Sequence, residues 1–218
     1  MKINPLVLKS LVFIGIPCLG LAIVFPAFAR ARENARRASC QSNLKQIGLG
    51  FAQYAQDYDG HLPPVKSVTF VPPKKIADMP TGVYGWTDAL YPYTKSTCLL
   101  NCPSDFFPSG NSLGVRPDKS GYTDYYMNAR LSGGKWNNSR ATNIVLAGDG
   151  IGDKRATARY ALSSPPDEKS VCGGYNGACE NVYRHLGTAN FLFLDGHVKF
   201  LQPEDVTAAK SDRFTFAP

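Results

Sequence analysis

Residues 30–60, RARENARRASCQSNLKQIGLGFAQYAQDYDG, decide the fold. Leu44, Ile47, Phe51, Tyr54 and Tyr58 recur at steps of three and four, which predicts a helix with one apolar stripe. Gly60 and then Pro63-Pro64 stop it. Upstream the pattern does not break. Leu11 to Ala29, LVFIGIPCLGLAIVFPAFA, is a run of 19 residues without a charge, and about 20 apolar residues cross a bilayer as a helix. Ala27-Phe28-Ala29 has the small-x-small form of a signal-peptidase site, behind the basic Lys2 and Lys9, so a cleaved leader competes with a retained anchor. The continuing helical pattern favours retention. The expectation is one long helix, transmembrane over residues 1–29 and exported over residues 30–60.

The charge distribution agrees with this division. The 218 residues carry a net +7, but Lys2, Lys9, Arg30, Arg32, Arg36, Arg37 and Lys45 against Glu33 place +6 within residues 1–45. The remainder holds 7 − 6 = +1, too little for a basic face, so nucleic acid is excluded as a partner. A surplus flanking an apolar run points to membrane lipid. The count of positive residues, two before the run and four Arg just after it, favours the opposite orientation. Cysteine usage and the resemblance described below outweigh it, placing an inner-membrane anchor before an exported periplasmic or extracellular domain.

Residues 61–218 read as a Pro- and Gly-rich α+β ectodomain. A short helix is expected at Thr87–Tyr93, capped by Thr87, and strands at Tyr122–Asn128 and Asn143–Ala147. The most legible element is a hairpin at about 190–201 around Asp195-Gly196, a strong two-residue turn signal. That turn pairs Leu192 with Lys199 and Phe191 with Phe200, and gathers Phe191, Phe193, Val198 and Phe200 on one face. The face is expected to bury Phe51, Tyr54 and Tyr58. The fold class is therefore α+β: a long N-terminal transmembrane-plus-amphipathic helix packed on a small C-terminal antiparallel β-sheet.

Several segments together resemble a known family. FPAFARARENARRASCQSNLKQIGLGFAQYAQDYDG is similar to the N-terminal helix of prepilin-like proteins. Trp86-Thr87-Asp88, Cys102-Pro103-Ser104-Asp105 and Tyr125-Tyr126-Met127-Asn128 follow in order. In RHLGTANFLFLDGHVKFL, His185, nine residues, then Asp195-Gly196 resemble the His-x9-Asp-Gly signature of the prepilin-type processing-associated domain. The resemblance implies a pilin-like fold and a structural pilin or pseudopilin of a type II secretion or type IV pilus-like system, with other pilin-like subunits or the secretion apparatus as partners. One departure stands out. Asn4-Pro5 occupies the place of the family's Gly-Phe cleavage site, and Lys9 replaces the Glu that neutralises a neighbouring subunit's amine. Two cations would then meet in low dielectric. The alternative is a tethered surface binding module for glycan or another exported protein, with Trp86 and Trp136 suited to sugar stacking.

Six Cys occur. Cys18 lies in the apolar run. Cys172 and Cys179 bracket GGYNGA, a loop short and flexible enough for a disulfide. Cys102 pairs with either Cys40 or Cys98, and the sequence leaves the choice open. A zinc site from Cys98, Cys102, Cys172 and Cys179 fits the usual knuckle spacings poorly. No cofactor is expected, with calcium the one candidate: Asp149, Asp153 and Asp195 lie in Gly-rich turns that supply oxygen ligands. The resemblance to pseudopilins adds slightly to that. His61, His185 and His197 accompany no nucleophile motif and no phosphate-cradling loop, so the chain is not expected to be an enzyme.

Overall fold

A computed structural model describes residues 5–67, 84–104, 122–136, 141–150, 157–164 and 182–207, with side chains of the first helix described from Leu21 onward, Ile23 apart. Helix α1 runs Pro5–Asp57. Its packed half is set by Cys40, Leu44, Ile47, Phe51 and Tyr54, all buried and spaced four, three, four and three residues apart, so they form one stripe. Tyr58 departs from expectation. It is 42% exposed, beyond the core, and stacks on Tyr54 with ring centroids 4.1 Å apart. Gly60, at φ +76°, ends the segment in a conformation that glycine adopts without strain.

Strands β1 (Lys66–Ser67) and β2 (Tyr84–Gly85) form a two-stranded ladder. Helix α2 (Trp86–Thr94) follows directly. It starts one residue before the expected Thr87, because Asp88 Oδ2 accepts the Gly85 N–H at 2.9 Å and does the capping. Thr87 Oγ1 donates instead to the Ala158 carbonyl. A five-stranded sheet carries the rest, in the order β5 (Ala161–Leu162), β3 (Tyr125–Asn128), β4 (Val145–Asp149), β6 (Ala189–Phe193), β7 (Val198–Leu201). A short α3 (Pro203–Thr207) closes the described chain.

The three central strands, β3, β4 and β6, are buried on both faces. One face, with Tyr125, Met127, Leu146, Leu192 and Leu194, packs on the α1 stripe and on Trp86, Ala89 and Leu90 of α2. The other face holds Tyr126, Val145, Phe191, Phe193 and Leu201 under Tyr160, Val182 and Tyr183. Helix and sheet approach closely at Gly48, where a Cβ would lie 2.9 Å from Leu192 Cδ1.

The structure corrects three of the expectations drawn from sequence. First, the hairpin register is Leu192 with Val198, Phe191 with Lys199 and Asn190 with Phe200, one residue away from expectation. The turn spans three residues, with Gly196 at φ +85° and Phe193 N–H bonded to the His197 carbonyl, which is the geometry of a bulged three-residue loop. A one-residue slip exchanges faces. Leu192 and Leu194 therefore meet α1, whereas Phe191 and Phe193 fill the opposite core and Phe200 is 46% exposed under Arg37.

Second, the sheet is not a small C-terminal antiparallel one: it is mixed, since β5 runs parallel to β3, and β3 and β4 come from mid-chain. Third, among the described residues no helix is long and apolar enough to cross a membrane. A transmembrane, pilin-like fold and an inner-membrane anchor are thus overturned.

Candidate functional site

Sequence ties His185 to Asp195, but folding separates them. β6 carries the chain from one end of the sheet to the other between them, and exposed Asp195 Oδ1 bonds His197 Nδ1 at 2.6 Å. His185 lies in a tight turn closed by reciprocal backbone bonds with Thr188 and by Leu186 and Gly187 at positive φ. This turn points a fully buried imidazole into the seam between α1 and the sheet.

Three segments converge on that ring. Glu33 Oε1, from α1, lies 2.8 Å from Nδ1. Cys102 Sγ lies 3.4 Å from Nε2, and Asp149 Oδ2, at the end of β4, 3.5 Å from it. Cys102 is joined to Cys40 of α1 in a disulfide with Cα atoms 5.5 Å apart, while Cys98 is exposed and unbridged. The pairing left open between Cys40 and Cys98 thus falls to Cys40. Around this centre Asp124 Oδ2 accepts the Cys102 N–H at 2.6 Å, and Arg184 Nη2 donates to the carbonyls of Asp124 and Gly150. Asp149 Oδ2 accepts both the backbone N–H and the side-chain amide of Asn190, at 2.7 and 2.9 Å. Its Oδ1 is buried with no hydrogen-bond partner among the described residues.

Burial pushes the Asp149 carboxyl above its ordinary range, against the opposing pull of Arg184, His185 and the Asn190 bonds. Nδ1 facing a carboxylate favours the tautomer with its proton there, leaving Nε2 to face sulfur and Asp149. Ser104 Oγ donates to Glu33 Oε1 at 2.6 Å, so the hydroxyl is spent on the carboxylate and does not meet the imidazole. A nucleophile–base contact therefore does not form at Ser104.

Other candidates fall elsewhere. Asp149 and Asp195 lie at opposite ends of β6, which rules out one calcium site built from both; Asp153, Cys172, Cys179 and Asn4 lie outside the described residues. Pro5 and Lys9 belong to the part of α1 described by backbone alone. Trp86 is fully buried, stacked on Phe51 at 5.6 Å, and its indole N–H donates to the Tyr160 carbonyl. Trp136 is half-buried and lines an open surface cleft of about 380 Å³ with Ala52, Ala55, Gln56, Asp59, Gly60 and Lys135. Trp136 N–H to Gly60 carbonyl and Leu62 N–H to Gly134 carbonyl, each 2.7 Å, hold the two cleft walls together.

Sequence reasoning missed Glu33 and the pairing of Asp149 with His185. The available signal was that Glu33 is the lone acid among seven bases in residues 1–45.

Residues 29–99 match the family SBP_bac_10, described as "Protein of unknown function (DUF1559)". The match covers less than half of the chain. It includes Glu33 and Cys40 and stops short of Cys102, Asp149 and His185. It is a match to a different family from the prepilin-like one, and together with the finding that no helix among the described residues is long and apolar enough to cross a membrane it overturns that resemblance and the pilin or pseudopilin function drawn from it. No curated protein and no solved structure matches the chain.

Proposed function

We propose that the chain is a non-catalytic binding module that takes a saccharide in the Trp136 cleft. The observation that carries this is the cleft's makeup. The half-buried Trp136 lines the cleft together with an amide, a carboxylate and an ammonium, from Gln56, Asp59 and Lys135. Sugars present apolar C–H faces edged by hydroxyls that both donate and accept, and this set answers each. The volume suits a ligand of one or two rings. Glycoside hydrolysis requires two carboxyl groups flanking the bond, and Asp59 is the one carboxylate lining this cleft among the described residues. The cleft's makeup therefore favours holding a sugar over hydrolysing one.

The chain has two Trp, and Trp86 is enclosed, so a ligand in the cleft changes the emission of Trp136. Titration with cello-, chito- and malto-oligosaccharides is expected to give a saturable shift with at least one series. Trp136→Ala abolishes it and Trp86→Phe preserves it. Absence of saturable binding across the three series sinks the proposal.

A further inference from the structure

We propose that Cys40, Cys102 and His185 form a redox-gated site for a soft divalent cation of the zinc(II) class, closed while the disulfide stands and open once it is reduced. Their ligand atoms lie within 4.8 Å of one another, and all three residues are buried. In tetrahedral zinc coordination, metal–sulfur and metal–nitrogen bonds of about 2.3 and 2.0 Å put sulfur and nitrogen about 3.5 Å apart. The 3.4 Å between Cys102 Sγ and His185 Nε2 is already such an edge. Asp149 Oδ2 lies 3.5 Å from the same Nε2 but outside the set of ligand atoms that lie within 4.8 Å of one another, so the three residues supply three ligands and solvent takes the fourth position. Only the two sulfurs must move, separating to about 3.8 Å when their bond is cut.

The surroundings suit a metal ligand. Histidines that bind metals donate their other ring N–H to a carboxylate, and Glu33 sits 2.8 Å from Nδ1 in that role. Glu33 is here a positioning residue. Two thiolates and a neutral imidazole balance the charge of zinc(II).

Reduction and metal binding balance in electrons and protons. An external dithiol gives two electrons and two protons to the Cys40–Cys102 bond, forming two thiols and its own cyclic disulfide. Zinc(II) then binds both sulfurs and displaces the two thiol protons to solvent.

The test uses the full chain with Cys18, Cys98, Cys172 and Cys179 replaced by Ser, so that Cys40 and Cys102 are the only thiols. Zinc content and competition with a chromophoric chelator are measured with and without a dithiol reductant, with circular dichroism monitoring the fold. The reduced, folded chain is expected to bind one zinc, and the oxidised chain none. Glu33→Gln is expected to weaken binding about 10- to 100-fold, and His185→Gln by more than that. The proposal is overturned by equal binding in both redox states or by no stoichiometric zinc after reduction. It is equally overturned by affinity that His185→Gln leaves unchanged, or by loss of fold on reduction with zinc present.

Discussion

Replacing Cys40 and Cys102 together by Ala tests how the seam between α1 and the loop before β3 is held. The bridge joins residues 62 apart, and chain-entropy arguments assign a closed loop of that length about 4 kcal/mol of stabilisation at 25 °C. Both cysteines are buried, so removing their sulfurs also takes packing away from the folded state, which adds to the cost rather than reducing it. The bridged unfolded chain is also more compact, and removing the bridge exposes more surface on unfolding. Urea unfolding of the double variant, with a chelator present, is therefore expected to show a fall of at least about 4 kcal/mol together with a steeper denaturant slope. The Ala pair is preferable to reduction because it leaves Cys172 and Cys179 as they are. A loss below about 1 kcal/mol, or an unchanged slope, would refute the claim that the bridge acts on the unfolded chain.

Three further outcomes are expected. Burial pushes the Asp88 carboxyl up to about 6, against lowering bonds from Gly85 and Tyr122, so the unfolded chain releases this proton more readily than the folded one. The associated stability is full below about pH 4 and is lost as pH rises through 6, by about 3 kcal/mol, and Asp88→Asn flattens this part of the profile in pH-dependent unfolding. Gly85→Ala is expected to cost at least about 3 kcal/mol in denaturant unfolding, because its Cβ would collide with the Ala158 carbonyl. Gly60→Ala has open space, and strain at φ +76° costs it about 1 kcal/mol. Phe191→Ala is expected to cost about 3–5 kcal/mol and Phe200→Ala less than about 1.5, whereas equal losses by thermal unfolding would restore the slipped register.

The α1 stripe, the α2 segment and the hairpin at Asp195-Gly196 were legible in the sequence because each depends on neighbours a few residues away. Periodicity reports which face of a helix is apolar, and a Gly after Asp reports where a strand must reverse. The choice between a two- and a three-residue turn was not legible, since one added loop residue changes no local preference yet exchanges Phe191 for Leu192 against α1. The apolar run at residues 11–29 suggested a bilayer by length alone, and length does not say what surrounds a helix. Tertiary structure decided the His185 centre for the same reason. Glu33, Cys40, Cys102, Asp149 and His185 are spread from the first helix to the turn before β6, Glu33 and His185 standing 152 positions apart, and no spacing rule links them. They meet because burying the stripe of α1 against the sheet brings the polar first turns of its packed half over the ends of β4 and β6. There, desolvated charges hold only where others answer them.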